Sequence, residues 1–281
     1  LNDLKVIVMD VDGTLTNSKK VITEKTKETL MKAQELGYTL ILASGRPTTG
    51  LVGFAKELEM DKHNGLLVSY NGSQVVDFTK NEILFNEPLT VVEAKSILRH
   101  IKQFDITPMI DDGKHIYVEN LDGLNVEYEA SGGNFILEQV EDLEEFITFE
   151  TNKILTSGSP EYLQTIFNQM KDPFNNELSC VFTAPFYVEY TAKGIDKAKA
   201  LETILKPMGY TRDQIIAFGD GHNDITMLKY AGVAVAMDNA VQDLKDVADF
   251  ITLSNEEDGI AHALEKYIVQ LNVDKKVSAL V

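Results

Sequence analysis

A single cysteine, Cys180, stands in the 281 residues of the chain. It cannot close an internal disulfide, which excludes the stapled secreted scaffolds and points to a reducing, cytoplasmic compartment. Positive charge is scarce as well: 26 Lys and Arg face 44 Asp and Glu, a formal net charge of −18. That balance repels a phosphate backbone, so nucleic acid is not an expected general partner, although a local basic or metal-bearing site can still hold a small anion. No uninterrupted apolar run approaches the roughly 18 residues of a membrane span, so no membrane partner is expected. The opening, Leu1 to Asp10, reads as a buried strand rather than as a signal peptide with a basic flank. Repeats of about 20 to 50 residues and low-complexity tracts are also lacking. What the chain does have is 44% hydrophobic residues, enough for a real core in one large domain or two linked ones.

Short apolar runs alternate with helix-period segments in the first part of the chain, the pattern of βαβ units in a parallel sheet covered on both faces. Leu4 to Met9 reads as a strand; Thr23 can cap a helix that Gly37 stops near Leu36; Tyr38 to Ala43 and Leu66 to Tyr70 read as further strands, with a helix from about Pro47 between them. From Ile83 to Val188 the rhythm changes to a helix over Val91 to Phe104, an alternating stretch from Thr107 to Val118, then Gly132-Gly133, a helix over Pro160 to Met170 and aromatic-rich strands at Cys180 to Tyr190. The first rhythm then returns with a helix over Lys197 to Leu205, strands at Ile215 to Gly219, Val233 to Met237 and Phe250 to Leu253, and a helix over Asn223 to Tyr230. The expected fold is α/β: a Rossmann-like doubly wound parallel-sheet core, residues 1–82 and 189–281, with an inserted α+β cap domain over 83–188. The tail after Asn272 is expected to fray.

Three core strands end in polar clusters: Asp10-Val11-Asp12-Gly13-Thr14, Ser44-Gly45-Arg46, and Asp220-Gly221-His222-Asn223-Asp224. The carboxyl ends of parallel strands share one edge, where ligands bind at the switch of strand order. Asp10 and Asp12, two apart on an extended backbone, point the same way, and Gly13 lets the chain turn. With Asp220 and Asp224 at that edge, as many as four carboxylates repel one another unless a hard cation sits among them, and an all-oxygen set suits Mg²⁺. Zinc is disfavoured, since one cysteine and five scattered histidines show no ligand spacing. The Asp-x-Asp run is not a calcium loop, whose glycine stands sixth, whereas Gly13 is the fourth. A carboxylate nucleophile beside an acid/base carboxylate suits phosphoryl transfer, with Ser44, the amides of Gly45 and Arg46, and Lys197 opening a helix as phosphate ligands.

In order and spacing, these four segments resemble the motifs of the haloacid dehalogenase-like hydrolases. Asn71-Gly72, Val235-Ala236-Met237-Asp238-Asn239-Ala240 and Ser254-Asn255-Glu256-Glu257-Asp258-Gly259 are similar to the Cof-type subfamily, especially its YidA-like sugar phosphatases. The resemblance implies a Mg²⁺-dependent phosphomonoester hydrolase acting on small phosphorylated metabolites, chiefly sugar phosphates. Asp10 would form an aspartyl-phosphate, Asp12 would serve as acid and base, and Ser44 and Lys197 would hold the phosphoryl group. Gly13, Gly45, Arg46, Asn71 and Asn223 would help bind phosphate or substrate. The metal would be held by Asp10, the backbone carbonyl of Asp12 and Asp220, supported by Asp224. The long gap from Ser44 to Lys197 holds the insertion, which resembles a type IIB cap, a lid that selects the leaving group.

Each motif also has an ordinary reading. Asp and Gly after a strand make Asx-turns, Asn223 or Asp224 can cap a helix, and Asn71-Gly72 can be a hairpin turn. The family places glycine after its lysine; here Ala198 follows Lys197, and Lys193-Gly194 upstream mimics the pattern, so Lys193 stays a rival. Cys180 reads as packing, His222 as a loop residue rather than a ligand, and Glu138 to Glu145 as a solvated face. A phosphomutase or phosphotransferase, and a catalytically silent metabolite-binding module, remain alternatives. The physiological substrate and oligomeric state are not legible.

Overall fold

A computed structural model describes residues 3–268; Leu1 and Asn2, and the tail after Asn272, lie outside the described residues. The strands run β1 (Val6–Met9), β2 (Thr39–Ala43), β3 (Leu66–Ser69), β4 (Gln74–Asp77) and β5 (Glu82–Asn86). There follow β6 (Thr107–Asp111), β7 (His115–Val118), β8 (Ile136–Gln139), β9 (Ile154–Ser157), β10 (Leu178–Ala184) and β11 (Tyr187–Ala192). The last are β12 (Ile215–Gly219), β13 (Val233–Ala236) and β14 (Phe250–Ile251). Two compact units emerge: residues 3–45, 51–85 and 196–268 form one, and residues 46–50 and 86–195 the other.

The first unit is built on a sheet of order β14-β13-β12-β1-β2-β3-β4-β5. It is parallel from β14 to β3, and β4 turns back antiparallel on β3. Strand β1 is buried along its whole length, as a central strand covered on both faces must be. Ile7 and Met9 join Leu40, Leu42 and Phe218 in one core layer, while Val6 and Val8 join Ile41, Ala43 and Ala217 in the other. The register sets Met9 between Leu42 and Phe218, which levels the carboxyl ends of β1, β2 and β12. The helix after β1 spans Glu24–Glu35, but Thr23 does not cap it through its side chain; its hydroxyl donates to Asp258 instead. Gly37 follows the helix with a φ of +91°, a conformation that favours glycine.

The second unit carries a sheet of order β10-β11-β9-β6-β7-β8, antiparallel except for the β7/β8 pair. Helices Val91–Ile101 and Pro160–Lys171 cover one face through Ile97, Leu98, Leu163 and Ile166. The short helix Val126–Gly132 packs Val126 and Ala130 with Met109, Val118 and Leu155 in a separate cluster. The alternating stretch from Thr107 to Val118 folds as the β6/β7 hairpin, because Asp112 Oδ1 accepts the amides of Lys114 and His115 at 2.8 and 2.7 Å and turns the chain. A division at 188/189 cuts through β11, whose pairing with β9 and β10 runs on to Ala192; the units part between Ile195 and Asp196, and at the other end between Phe85 and Asn86.

Cys180 lies on β10, buried among Met170, Phe174 and Tyr190, and burial pushes its thiol up to about 11. A buried, protonated thiol is a poor nucleophile. Under native conditions at neutral pH, Ellman's reagent should therefore label the chain only as fast as it unfolds, and denaturant should release one reactive thiol. Rapid native labelling would contradict this placement.

Candidate active site

The chain winds outward from β1 in two directions, through β2 and β3 on one side and through β12, β13 and β14 on the other. The switch of strand order thus lies between β1 and β12, and the crevice at their carboxyl ends is where such sheets bind ligands. Asp10 leaves β1 there with its amide donating to the Phe218 carbonyl at 3.0 Å, which extends the β1/β12 ladder by one rung. Asp220 leaves β12 opposite. Ser44 leaves β2 with its amide on the Val68 carbonyl at 2.8 Å, and its own carbonyl accepts the Asn71 amide at 2.9 Å.

An ion cluster forms at this edge. Lys197 Nζ donates to Asp10 Oδ1 at 2.8 Å and to Asp224 Oδ1 at 2.7 Å, and the lysine side chain is fully buried. The carboxylates of Asp10, Asp220 and Asp224 bring oxygens within 4.8 Å of one another. Asp224 is held by its second oxygen, which accepts the amides of Asp220 and Gly221 at 3.0 Å each. Asp220 Oδ1 accepts the hydroxyl of Thr14 at 2.8 Å. Burial pushes the Asp10 carboxyl well above its ordinary range, with Asp224 and Asp220 adding to the push and Lys197 opposing it. Burial likewise lifts Asp220 to about 6, against the Thr14 hydrogen bond. For Lys197 burial acts downward, yet Asp10 and Asp224 outweigh it and hold the ammonium above the usual lysine range.

Local sequence explains how the lysine comes to lie there. Asp196 caps the helix Lys197–Leu205 by accepting the amides of Ala198 and Lys199 at 2.7 and 3.1 Å, so Lys197 is the first helical residue. The β3–β4 connection passes through three successive left-handed residues, Tyr70, Asn71 and Gly72, with φ of 50°, 56° and 103°. A Cβ on Gly72 would run into the Asp196 carbonyl, so only glycine lets this turn seat against the start of the helix.

The other expected residues fall as follows. Asp12 is not one of the three clustered carboxylates; its side chain is 35% exposed and pairs with Lys20 Nζ at 2.6 Å. Gly13 has a φ of +86°, and a Cβ there would collide with Asp220 Oδ2. Gly45 lets the Asn71 amide approach, since a Cβ would stand 3.1 Å from Asn71 Nδ2. Asn223 Nδ2 donates to Asn71 Oδ1 at 3.0 Å, and the Asn71-Gly72 turn is the hairpin connection between β3 and β4. Arg46 groups with the second unit, where its guanidinium donates to the Gly132 carbonyl at 3.1 Å. Lys193 donates to the Asn176 carbonyl at 2.8 Å, whereas Lys197 is the lysine in the cluster. His222 is exposed, 3.4 Å from Asp243. Thr14 and Lys20 carry no sequence-derived role. The signal for Lys20 is Asn17, whose side chain takes the amides of Lys19 and Val21 and folds a turn that holds Lys20 at a φ of +59°.

Residues 7–264 match the haloacid dehalogenase-like hydrolase family. The chain belongs to that family. Among its relatives is the 5-amino-6-(5-phospho-D-ribitylamino)uracil phosphatase YcsE of Bacillus subtilis, 30% identical over 269 residues, covering 95% of this chain and 97% of that one. The pyridoxal phosphate phosphatase YbhA of Escherichia coli is 26% identical over 285 residues, covering 94% of this chain and 99% of that one. A crystal structure of a haloacid dehalogenase-like hydrolase from Bacteroides thetaiotaomicron superposes with a TM-score of 0.90 at 37% identity, covering 94% of this chain and all of the other. Among the described residues no helix is long and apolar enough to cross a membrane.

The donor set fits a metal. When ionised, the three clustered carboxylates face one ammonium and leave two negative charges uncompensated in a desolvated place, the charge a divalent cation cancels. All donors are oxygen, as hard cations require. The raised Asp220 carboxyl gives this a sign. Its pKa is near 3.8 when unfolded and about 6 when folded, so without metal the folded state is penalised as pH climbs through that window and stays penalised above it. The penalty is at most about 3 kcal/mol and smaller once solvent screens the exposed part. In metal-free protein, the stability gain of Asp220→Asn over wild type should open between about pH 4 and pH 6 and close at pH 7 when a divalent cation is added. Urea unfolding at stepped pH measures it, and a gap independent of pH would contradict the cluster's electrostatics.

Proposed function

We propose that the chain is a Mg²⁺-dependent phosphomonoester hydrolase that works through an aspartyl-phosphate on Asp10 and acts on small phosphorylated metabolites, sugar phosphates foremost. The observation that carries this reading is the buried Asp10–Lys197–Asp224 bridge with Asp220 beside it. Asp10, Asp220 and the backbone carbonyl of Asp12 would hold Mg²⁺, with Asp224 supporting them through Lys197 and the loop amides. Bound there, the ion supplies the positive charge that keeps Asp10 ionised and offsets charge on the phosphoryl oxygens.

In the first half-reaction an Asp10 oxygen attacks phosphorus, the bond to the ester oxygen breaks, and Asp12 passes a proton to the departing alcohol. In the second, Asp12 takes a proton from water as the water oxygen attacks phosphorus, and inorganic phosphate leaves with Asp10 restored. Asp12 is partly exposed and pairs with the exposed Lys20 rather than with the buried Lys197, so substrate or water can take the place of Lys20 on its carboxylate for both transfers. Lys197 faces the nucleophile and balances charge on the transferring group, while Ser44 and the Gly45 amide, on the neighbouring strand end, bind phosphoryl oxygens. Asn71 and Asn223, already bonded to each other, contact the phosphate or the group attached to it.

The named substrates of the two relatives, a phosphorylated ribityl compound and pyridoxal phosphate, are both phosphomonoesters of small molecules, which supports the substrate class. Wild type should release inorganic phosphate from a panel of sugar phosphates and related monoesters with Mg²⁺ and not after chelation. Asp10→Asn should lose about a thousandfold or more in turnover, and Asp12→Asn should slow both departure of the alcohol and breakdown of the intermediate. Equal turnover by wild type and Asp10→Asn would overturn the proposal.

A further inference from the structure

Two asparagines without a role in the reaction above grip the loop that carries Asp12. Asn239, just beyond β13, donates from Nδ2 to the Gly13 carbonyl at 2.8 Å. Asn255, in the turn after β14, donates from Nδ2 to the Thr16 carbonyl at 2.9 Å. The two are joined, for the Asn255 amide donates to Asn239 Oδ1 at 3.1 Å. Each side chain therefore reaches more than 200 positions back along the sequence, and neither can shift without disturbing the other.

What they hold matters to the chemistry. The Gly13 carbonyl belongs to the peptide that leads into Thr14, whose hydroxyl holds Asp220, and Gly13 itself wraps so closely on Asp220 that no Cβ fits. Asp12 is the residue before it. The loop's own bonds, Leu15 amide to Asp10 carbonyl at 3.2 Å and Thr16 amide to Val11 carbonyl at 2.9 Å, close the turn but do not anchor it to the strands on the far side of the sheet. Asn239 and Asn255 do, and Glu256 adds an outer hold by accepting the Ser18 amide at 2.6 Å.

We propose that Asn239 and Asn255 are positioning residues for phosphoryl transfer: as one linked pair they fix the Gly13 and Thr16 carbonyls and thereby the placement of Asp12 relative to Asp10 and Asp220. This rests on the phosphatase reading. A displacement of about 1 Å at a reacting group can reduce rate by about a hundredfold, so the pair acts on turnover more than on substrate binding. A role confined to stability would lower the melting temperature and leave turnover per folded molecule intact.

The test uses Asn239→Ala, Asn255→Ala, the double variant, and Asn239→Asp and Asn255→Asp, which keep the side-chain size and the Oδ acceptor but remove the donor. The expected result for both kinds of variant is kcat lower by about tenfold to a hundredfold with KM within about twofold. The double variant should lose little more than the weaker single one, because the pair acts as a unit. Deuterium uptake over residues 11–20 should quicken in the variants, a readout that needs no turnover. An unchanged kcat, a loss that merely follows the melting temperature, or unchanged exchange over 11–20 would overturn the inference. If wild type itself releases phosphate from no ester in the panel, the phosphatase reading fails instead, and the exchange measurement still decides whether the two asparagines fix the loop.

Discussion

The buried ammonium of Lys197 is the constraint on which the site depends. It bridges two carboxylates from opposite sides of the β1/β12 boundary, and all three groups are out of water. Charges so placed are tolerated only in good geometry, and removing one partner of a buried pair costs about 3 to 5 kcal/mol because the other is left uncompensated. The lysine therefore has to be delivered accurately. Asp196 caps its helix, the left-handed turn at Tyr70 to Gly72 seats that helix start, and the Asp220 and Gly221 amides lock Asp224 in the orientation the lysine needs. Stability and chemistry are in tension here, since the charged groups gathered at the candidate site are the ones whose desolvation the fold resists.

Sheet topology does the rest of the gathering. Residues at positions 10, 44, 197 and 220 meet, or share one edge, because the parallel strands that precede them, or the helix that Lys197 opens, bring them to one end of one sheet. A ladder in which Met9 lies level with Leu42 and Phe218 converts distant sequence positions into neighbours without any loop having to find them. The Asn71 turn joins the same edge through its hydrogen bonds to Ser44 and Asn223.

The core strands were legible in the sequence because a strand buried on both faces is an unbroken apolar run, as in Val6 to Met9 and Ile215 to Phe218, and polar residues cluster where each run ends. The helix beginning at Lys197 was legible from its phase. Other features had no such signature. Strands β5 and β8 are short and largely exposed, so they lack the alternation that one buried face imprints. The hairpin within Thr107 to Val118 hides its turn in Asp112-Gly113, which reads as part of a polar/apolar alternation. At the site, the residues with chemistry of their own stood out, but the geometry between them did not. That Asp12 pairs with Lys20 depends on a turn folded by Asn17, and Thr14 reveals its role only when Asp220 is brought across the sheet. The end of β11 is hard to read for a related reason: the strand continues through Thr191 and Ala192, residues that carry little hydrophobic signal.

The order of strands has a consequence for how the molecule comes into being. Strand β1 leaves the ribosome some 200 residues before its neighbour β12, with the whole second unit between them. At about 5 to 20 residues per second of synthesis, one flank of β1 waits on the order of ten seconds or more for its partner, an unsatisfied hydrogen-bonding edge in the nascent chain. The second unit, whose paired strands all lie within one continuous stretch, can complete its own sheet during that wait. The edge that carries the candidate site is thus completed only after the second unit has been made, and the growing chain is most in need of protection while β1 stands half-paired.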